Sequence, residues 1–300
     1  MLPEEKEPLK LTSNQDLSVN FVFPGGQEAR FVRRTDEYFI CYLSSHNGCN
    51  QACRFCHLTQ TGQTEFVEAS ASEMLAQARK VLAHYAGEIA AARQAPASRI
   101  HFNWMARGEP LASSVITGHW LEITDGLRAL AQEVGVGEVR FNISSIFPAK
   151  GTRPDVLNAF HEGPSPTLFY SLYSLNPDFR KRWIPKAEDP APVFAQLAAW
   201  QRRTGGELVL HWAMIEGQND DQQTIADIAQ AVQAHGLVAR FNLVRYNPHG
   251  QGQGQEPEES TLNARFDELS RVMRAEGSRI VPRVGFDVKA SCGMFVLSQG

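Results

Sequence analysis

The sequence lacks any long hydrophobic run. No apolar stretch reaches the roughly 20 residues that a membrane-spanning helix needs. The opening residues, MLPEEKEPLK, are acidic and polar, without the apolar core of a secretory signal. A cytosolic protein with no membrane contact is the expectation. Strong charge of either sign is also missing. Lysine and arginine total 29 against 33 acidic residues, a formal net charge of −4, so bulk electrostatics announce no nucleic-acid partner. Cysteine is scarce: five in 300 residues, an odd number, with Cys49, Cys53 and Cys56 crowded together. That excludes a disulfide framework and, in a reducing compartment, points to metal binding or catalysis.

What is present is a chain with 43% hydrophobic residues, enough for one large α/β domain or two small ones. Short β-branched and aromatic runs lie at 38–44, 99–105, 138–144, 167–173, 208–214 and 239–245. Helical patterns alternate with them near 72–93, 119–134, 152–161, 190–203, 221–235 and 261–275. Ser72-Glu73 reads as the start of the first of these. Asp220 or Asp221 caps the fifth, and Gly236 closes it. Six βα units in series predict a parallel sheet with right-handed crossovers, two units short of a closed barrel. The expected fold is therefore α/β, a partial (βα)6 TIM-like barrel. Residues 17–34 read as a β-hairpin around Pro24-Gly25-Gly26. This divides the chain into an N-terminal extension over 1–34 and a core barrel over 35–300.

Ligands of such folds sit at the C-terminal ends of the strands. The chemistry-bearing residues fall there: the cysteine cluster after the first strand, Arg107-Gly108-Glu109-Pro110 after the second, Asn142 and Ser144 at the third, Asn247 after the sixth. The cluster, SSHNGCNQACRFCHLTQ over 44–60, is spaced Cys-x3-Cys-x2-Cys. Covalent haem on Cys53-Arg54-Phe55-Cys56-His57 would need export and leaves Cys49 unused. A redox dithiol leaves the same cysteine over. A zinc ion would need His46 or His57 as fourth ligand. A [4Fe–4S] cluster on three thiolates leaves one iron open to the amine and carboxylate of S-adenosylmethionine. Spacing alone leaves zinc and the cluster both open.

Cys-x3-Cys-x2-Cys in the loop after the first strand of a βα barrel resembles the signature of the radical S-adenosylmethionine superfamily. From about Glu28 onward the chain resembles its RlmN/Cfr family of radical methyltransferases. RGEPL (107–111) is similar to the family's Gly-Glu-Pro motif, and RYNPHG (245–250) to its Asn-Pro turn. YSLYSLNPDFRKRWIP (170–185) resembles its Ser-Leu-His-x-Pro-Asn stretch and the Arg-rich helix behind it. GFDVKASCGMF (285–295) resembles the tail with the methyl-accepting cysteine.

The resemblance implies a [4Fe–4S] cluster on Cys49, Cys53 and Cys56. It also implies S-adenosylmethionine contacts from Gly108, Glu109, Asn142, Ser144, Ser171 and Asn247. Cys292 would carry the methyl as S-methylcysteine, Cys41 would resolve the covalent intermediate, and Glu28 would take the ring proton. The implied reaction is methylation of adenine C2 or C8 in RNA, with a flavodoxin or ferredoxin as electron donor. The chain departs from the family in places. Cys41 stands eight residues before Cys49, one more than the family spacing, and Tyr173 stands where the family has His. Only 27 residues with little helical pattern precede Glu28, where family members carry a helical RNA-binding domain. Cys41 also reads as a small core hydrophobe. The basic run FRKRWIPK (179–186) is the best candidate for phosphate contact, and it equally reads as a solvated helix end. Rival functions are the same chemistry on a nucleotide, DNA or small heteroaromatic, a non-methylating radical enzyme, and a non-enzymatic iron–sulfur or zinc regulatory protein.

Overall fold

The computed structural model describes residues 7–150, 155–250, 252–273 and 276–297. Among the described residues, ten strands form one sheet in sequential order. Strands β1 (Leu9–Thr12), β2 (Val19–Val22), β3 (Glu28–Arg33) and β4 (Tyr38–Leu43) pair antiparallel, with β2 and β3 joined through a turn at Gly25-Gly26. From β4 the sheet becomes parallel through β5 (Arg99–Trp104), β6 (Glu138–Ser145), β7 (Thr167–Tyr170), β8 (Leu208–Ala213), β9 (Ala239–Val244) and β10 (Arg279–Val281). The six expected βα strands are β4 to β9. β10 is a seventh parallel strand, and at three residues it is too short for alternation to show in sequence.

Helices connect the parallel strands: α1 (His57–Gln60), α2 (Ala71–Ala90), α3 (Ser114–Gly118), α4 (Trp120–Glu133), α5 (Pro177–Trp183), α6 (Pro190–Thr204), α7 (Gln222–Ala234) and α8 (Glu259–Val272). Helix α2 starts at Ser70 rather than Ser72. The Ser70 hydroxyl accepts the Glu73 amide while the Glu73 carboxylate accepts the Ser70 amide, a reciprocal cap that satisfies two orphan donors. Asp221 caps α7 by accepting from the Thr224 amide at 2.8 Å. Of the helix expected at 152–161, residues 152–154 lie outside the described residues, and Val156–Phe160 forms a 3-10 helix. Residues 274 and 275 of the last expected helix also lie outside them.

Side-chain alternation along the strands separates two surfaces. On β4, Phe39 stacks on Tyr85 of α2 with ring centres 4.3 Å apart, so Phe39, Cys41 and Leu43 face the helical layer. Tyr42 faces the other way and lines the lumen. On β5, the Trp104 indole donates to Met74 of α2, which places Ile100, Phe102 and Trp104 in the same outer core. The apolar core thus lies between sheet and helices, and the lumen side is left to polar groups. No helix of the described residues is long and apolar enough to cross a membrane.

Candidate active site

One cavity at the C-terminal ends of the parallel strands gathers Cys49, Cys53, Cys56, Gly108, Glu109, Ser144, Ser171 and Cys292. Two loops build its mouth. The segment after β4 carries the cysteines, and the segment after β5 carries Arg107-Gly108-Glu109. They are stitched by the Ser45 amide donating to the Arg107 carbonyl at 2.9 Å. Gly108 has φ of +100°, and a Cβ there would stand 2.4 Å from the Ser45 hydroxyl oxygen and 2.5 Å from His46 Nδ1. Only glycine permits this approach.

The three cluster thiols are pushed up by burial, and Cys53 is pushed further by Cys49 and Cys56, so the sulfurs are electrostatic neighbours. Three adjacent thiolates of this kind are stable only around a cationic group. Among the described residues no three His, Cys, Asp or Glu groups share the geometry of a single-ion site. Neither histidine that a zinc site would recruit lines the cavity. His46 pairs with the Ser45 hydroxyl at 2.9 Å and stacks on Phe66, while His57 Nε2 meets the Asn247 carbonyl at 3.1 Å. A donor set of three thiols with no fourth protein ligand fits a cubane with one iron left open.

Glu109 is buried at the rim. Its oxygens accept from the Leu111 amide and the Ile146 amide, each at 3.2 Å. Burial raises its carboxyl to about 7 against these bonds. An ammonium group placed beside it would restore the anion. Ser144 and Ser171 face one another with hydroxyl oxygens 3.3 Å apart. Phe55 stacks on Tyr173 at 4.3 Å, and Tyr173 holds a left-handed backbone with φ of 61°.

Cys292 reaches the cavity on the C-terminal tail. The residue is exposed, yet burial of its thiol among the cavity groups, and next Cys56, push it up to about 11, with Arg30 pulling the other way. The tail is pinned along its length. Asn247 Nδ2 donates to the Ser291 hydroxyl and the Cys292 carbonyl, and the His57 amide donates to the Gly293 carbonyl. Arg30 donates to the Met294 carbonyl at 2.6 Å, and Arg107 donates to the Val296 carbonyl at 2.6 Å. Both cations lie over the Phe295 ring.

Four expected site residues are placed differently. Glu28 is fully buried and does not line the cavity. Its Oε1 accepts from Arg107 and from the Val296 amide, and its Oε2 accepts from Asn20 and Arg30. Burial would raise this carboxyl, but the two guanidiniums hold it below the usual range. Through these bonds it anchors the tail. Asn247 is spent on the tail and on Arg283, which donates to its Oδ1 at 2.7 Å. Asn142 lies deeper in the lumen and donates to Asn103 at 2.6 Å. Cys41 is fully buried in the outer core, opposite Tyr42, with its thiol raised by burial alone. A resolving role there would require the sheet to open.

The basic run is also largely committed. Arg180 donates to the Leu172, Ser174 and Glu188 carbonyls, and Lys186 donates to the Asn50 carbonyl. That leaves Lys181 and Arg182 exposed. Sequence reasoning placed Arg107 at a strand end without a role, and passed over Arg30. Arg107 stands inside the quoted RGEPL and Arg30 two residues after Glu28, and a charged residue between glutamate and buried strand was the available signal.

No protein-family model matches the chain. Among curated proteins it is 28% identical over 268 residues to a probable dual-specificity RNA methyltransferase RlmN of Parasynechococcus marenigrum, covering 86% of this chain and 70% of that one. It is 26% identical over 264 residues to the dual-specificity RNA methyltransferase RlmN of Helicobacter hepaticus, covering 87% and 66%. The chain therefore spans about two thirds of the length of these relatives. Among solved structures, a radical SAM methyltransferase from Sphaerobacter thermophilus superposes with a TM-score of 0.76 at 20% identity, covering 96% of this chain and 80% of that one. In sequence the chain is thus similar to proteins named RlmN, and in fold to a radical SAM methyltransferase.

Proposed function

We propose that this protein is a radical S-adenosylmethionine methyltransferase that modifies an adenine ring carbon, C2 or C8, in RNA, with Cys292 as methyl carrier. The observation that supports this reading best is the sharing of one cavity by Cys292, the three cluster cysteines and Glu109. Cys49, Cys53 and Cys56 would hold a [4Fe–4S] cluster and Glu109 the ammonium of S-adenosylmethionine, and the chemistry supplied there is one-electron cleavage of a sulfonium. RNA as substrate rests on what the sequence relatives are named for. The strands before Thr35 serve as an extension of the barrel sheet.

The residues of this chain have separable tasks. Glu109 orients a cationic ligand, and Ser144 and Ser171 offer hydroxyls on the facing wall. Cys292 loses its proton and its sulfur takes the methyl carbon, with the electrons of the broken C–S bond leaving on the departing thioether sulfur. Arg30 favours the thiolate, since it lowers the thiol pKa against burial. Arg107, Arg30, Glu28 and Asn247 hold the tail so that this sulfur stays over the cavity. Cys41 takes no part.

The test is the mass of the Cys292 peptide after anaerobic reconstitution and incubation with S-adenosylmethionine. A gain of one methyl supports the carrier reading. An unmethylated Cys292 in protein that cleaves S-adenosylmethionine overturns it and leaves a radical enzyme of another reaction class.

A further inference from the structure

Arg34 lines the same cavity as the cluster thiols, but from the other end of the lumen. β3 runs antiparallel to β4, and Arg33 pairs with Phe39 near the start of β4. Arg34 therefore sits a strand's length from the loop that carries the cysteines. Its Nε is buried without a hydrogen-bond partner, and among the described residues no carboxylate pairs with it. The other guanidiniums of the cavity wall are engaged: Arg30 with Glu28, Arg245 with Glu259 and Arg283 with Glu256.

Across the lumen, His211 of β8 also lines the cavity, and its Nδ1 is buried without a partner. Register places Asn242 of β9 beside His211 and Arg279 of β10 beside Asn242. Asn242 is 4% exposed, and its Oδ1 is likewise unpartnered. His101 of β5 stacks on Tyr38 at 4.7 Å with Nε2 unpartnered, and Arg140 of β6 is its neighbour in register. Two carboxylates at this end are already taken. Glu138 holds Arg99 and Arg140, and Glu207 holds Arg240. Arg279, like Arg34, has no carboxylate partner among the described residues. Burial, reinforced by Arg279, holds His211 down at about 4, so near neutral pH it is a neutral imidazole with one N–H to donate.

Buried polar groups without partners are costly unless something satisfies them. We propose that the inner end of the lumen, between Arg34 and His211, is a binding site for an oxyanion, the phosphoryl or carboxylate group of a small molecule. The donors suit such a group: a guanidinium fork takes two oxygens at once, and an imidazole N–H can take another. Enclosure by strands on both sides selects a small ligand over a polymer. The assignment rests on the lumen alone and stands whether or not Cys292 carries a methyl.

Calorimetric titration of the purified protein with inorganic phosphate, and separately with acetate, at ionic strength held constant with chloride, tests the site. Saturable one-site binding of either anion is the expected result. A response to phosphate alone assigns a phosphoryl group, and one to acetate alone a carboxylate. Arg34→Gln should weaken the binding about ten-fold or more, the scale of a lost charged hydrogen bond. Arg34→Lys and His211→Phe should weaken it less, and these carry the test if Arg34→Gln does not fold. No saturable binding of either anion, or binding unchanged in folded variants at both positions, overturns the proposal.

Discussion

Glu28 and Arg107 meet across 79 residues of sequence. Arg107 Nε and Nη2 both donate to Glu28 Oε1, at 3.1 and 2.8 Å, and neither side chain has any exposure. The same oxygen accepts the Val296 amide at 2.9 Å. One carboxylate thus joins the N-terminal strands, the loop after β5 and the cysteine-bearing tail.

Removing this carboxylate should free the tail before it affects any chemistry. Glu28→Ala leaves two buried guanidiniums uncompensated, and a loss of about 3–5 kcal/mol in chemical denaturation is expected. Glu28→Gln keeps the shape and drops the charge, and should raise the rate of Cys292 alkylation by iodoacetamide several-fold. Unchanged alkylation with lost turnover would return Glu28 to the role of base.

Acid should release the tail in the same way. The folded pKa of Glu28 lies below its ordinary value of 4.5, so the stabilisation is fully present above that pH. It is lost as pH falls through the folded pKa. Hydrogen exchange of residues 288–296, measured at each pH, reports the transition.

Glu109 has the opposite sign. Its folded pKa is raised to about 7, so the folded state favours the protonated form and loses stability as pH rises from 4.5 towards 7. Glu109→Gln should therefore gain on wild type by up to about 3 kcal/mol between pH 4.5 and 8 in the cluster-free protein. Parallel stability curves for the two proteins would mean that Glu109 is not held in an apolar setting.

Cys41→Ala should keep S-adenosylmethionine cleavage and Cys292 methylation, because its side chain faces Phe102 and the helical layer rather than the cavity. Cys41→Ser should cost about 1–3 kcal/mol by burying a hydroxyl without a partner. Cys53→Ala should instead abolish the visible absorbance of the reconstituted cluster and all cleavage. A covalent protein–substrate adduct trapped in Cys41→Ala would reinstate Cys41 as the resolving thiol.

The βα rhythm was legible because β4 to β9 are compact apolar runs between long amphipathic helices. β10 was not, since Arg279-Ile280-Val281 offers too few residues for a period. The cavity wall could be anticipated at Cys49, Glu109 and Ser144 because strand ends in a parallel sheet converge, and at Ser171 through the family resemblance. The roles of Glu28 and Asn247 could not, because their partners are tail atoms distant in sequence, at Val296 and Cys292. The position of Cys41 turns on strand parity: next to Tyr42, it must face the other side.

The stitching of both ends of the chain has a consequence for biosynthesis. Ser13 and Asn14 hold Asp287, Asp16 holds Gly285, Asn20 holds Val288, and Glu28 holds Val296. These contacts of residues 13–28 thus form only after residues 285–296 have left the ribosome. Contacts of such separation close slowly. Until they form, the buried polar groups of β2 and β3 and the apolar tail side chains are uncovered together, which leaves the nascent protein open to association until residues 285–296 dock.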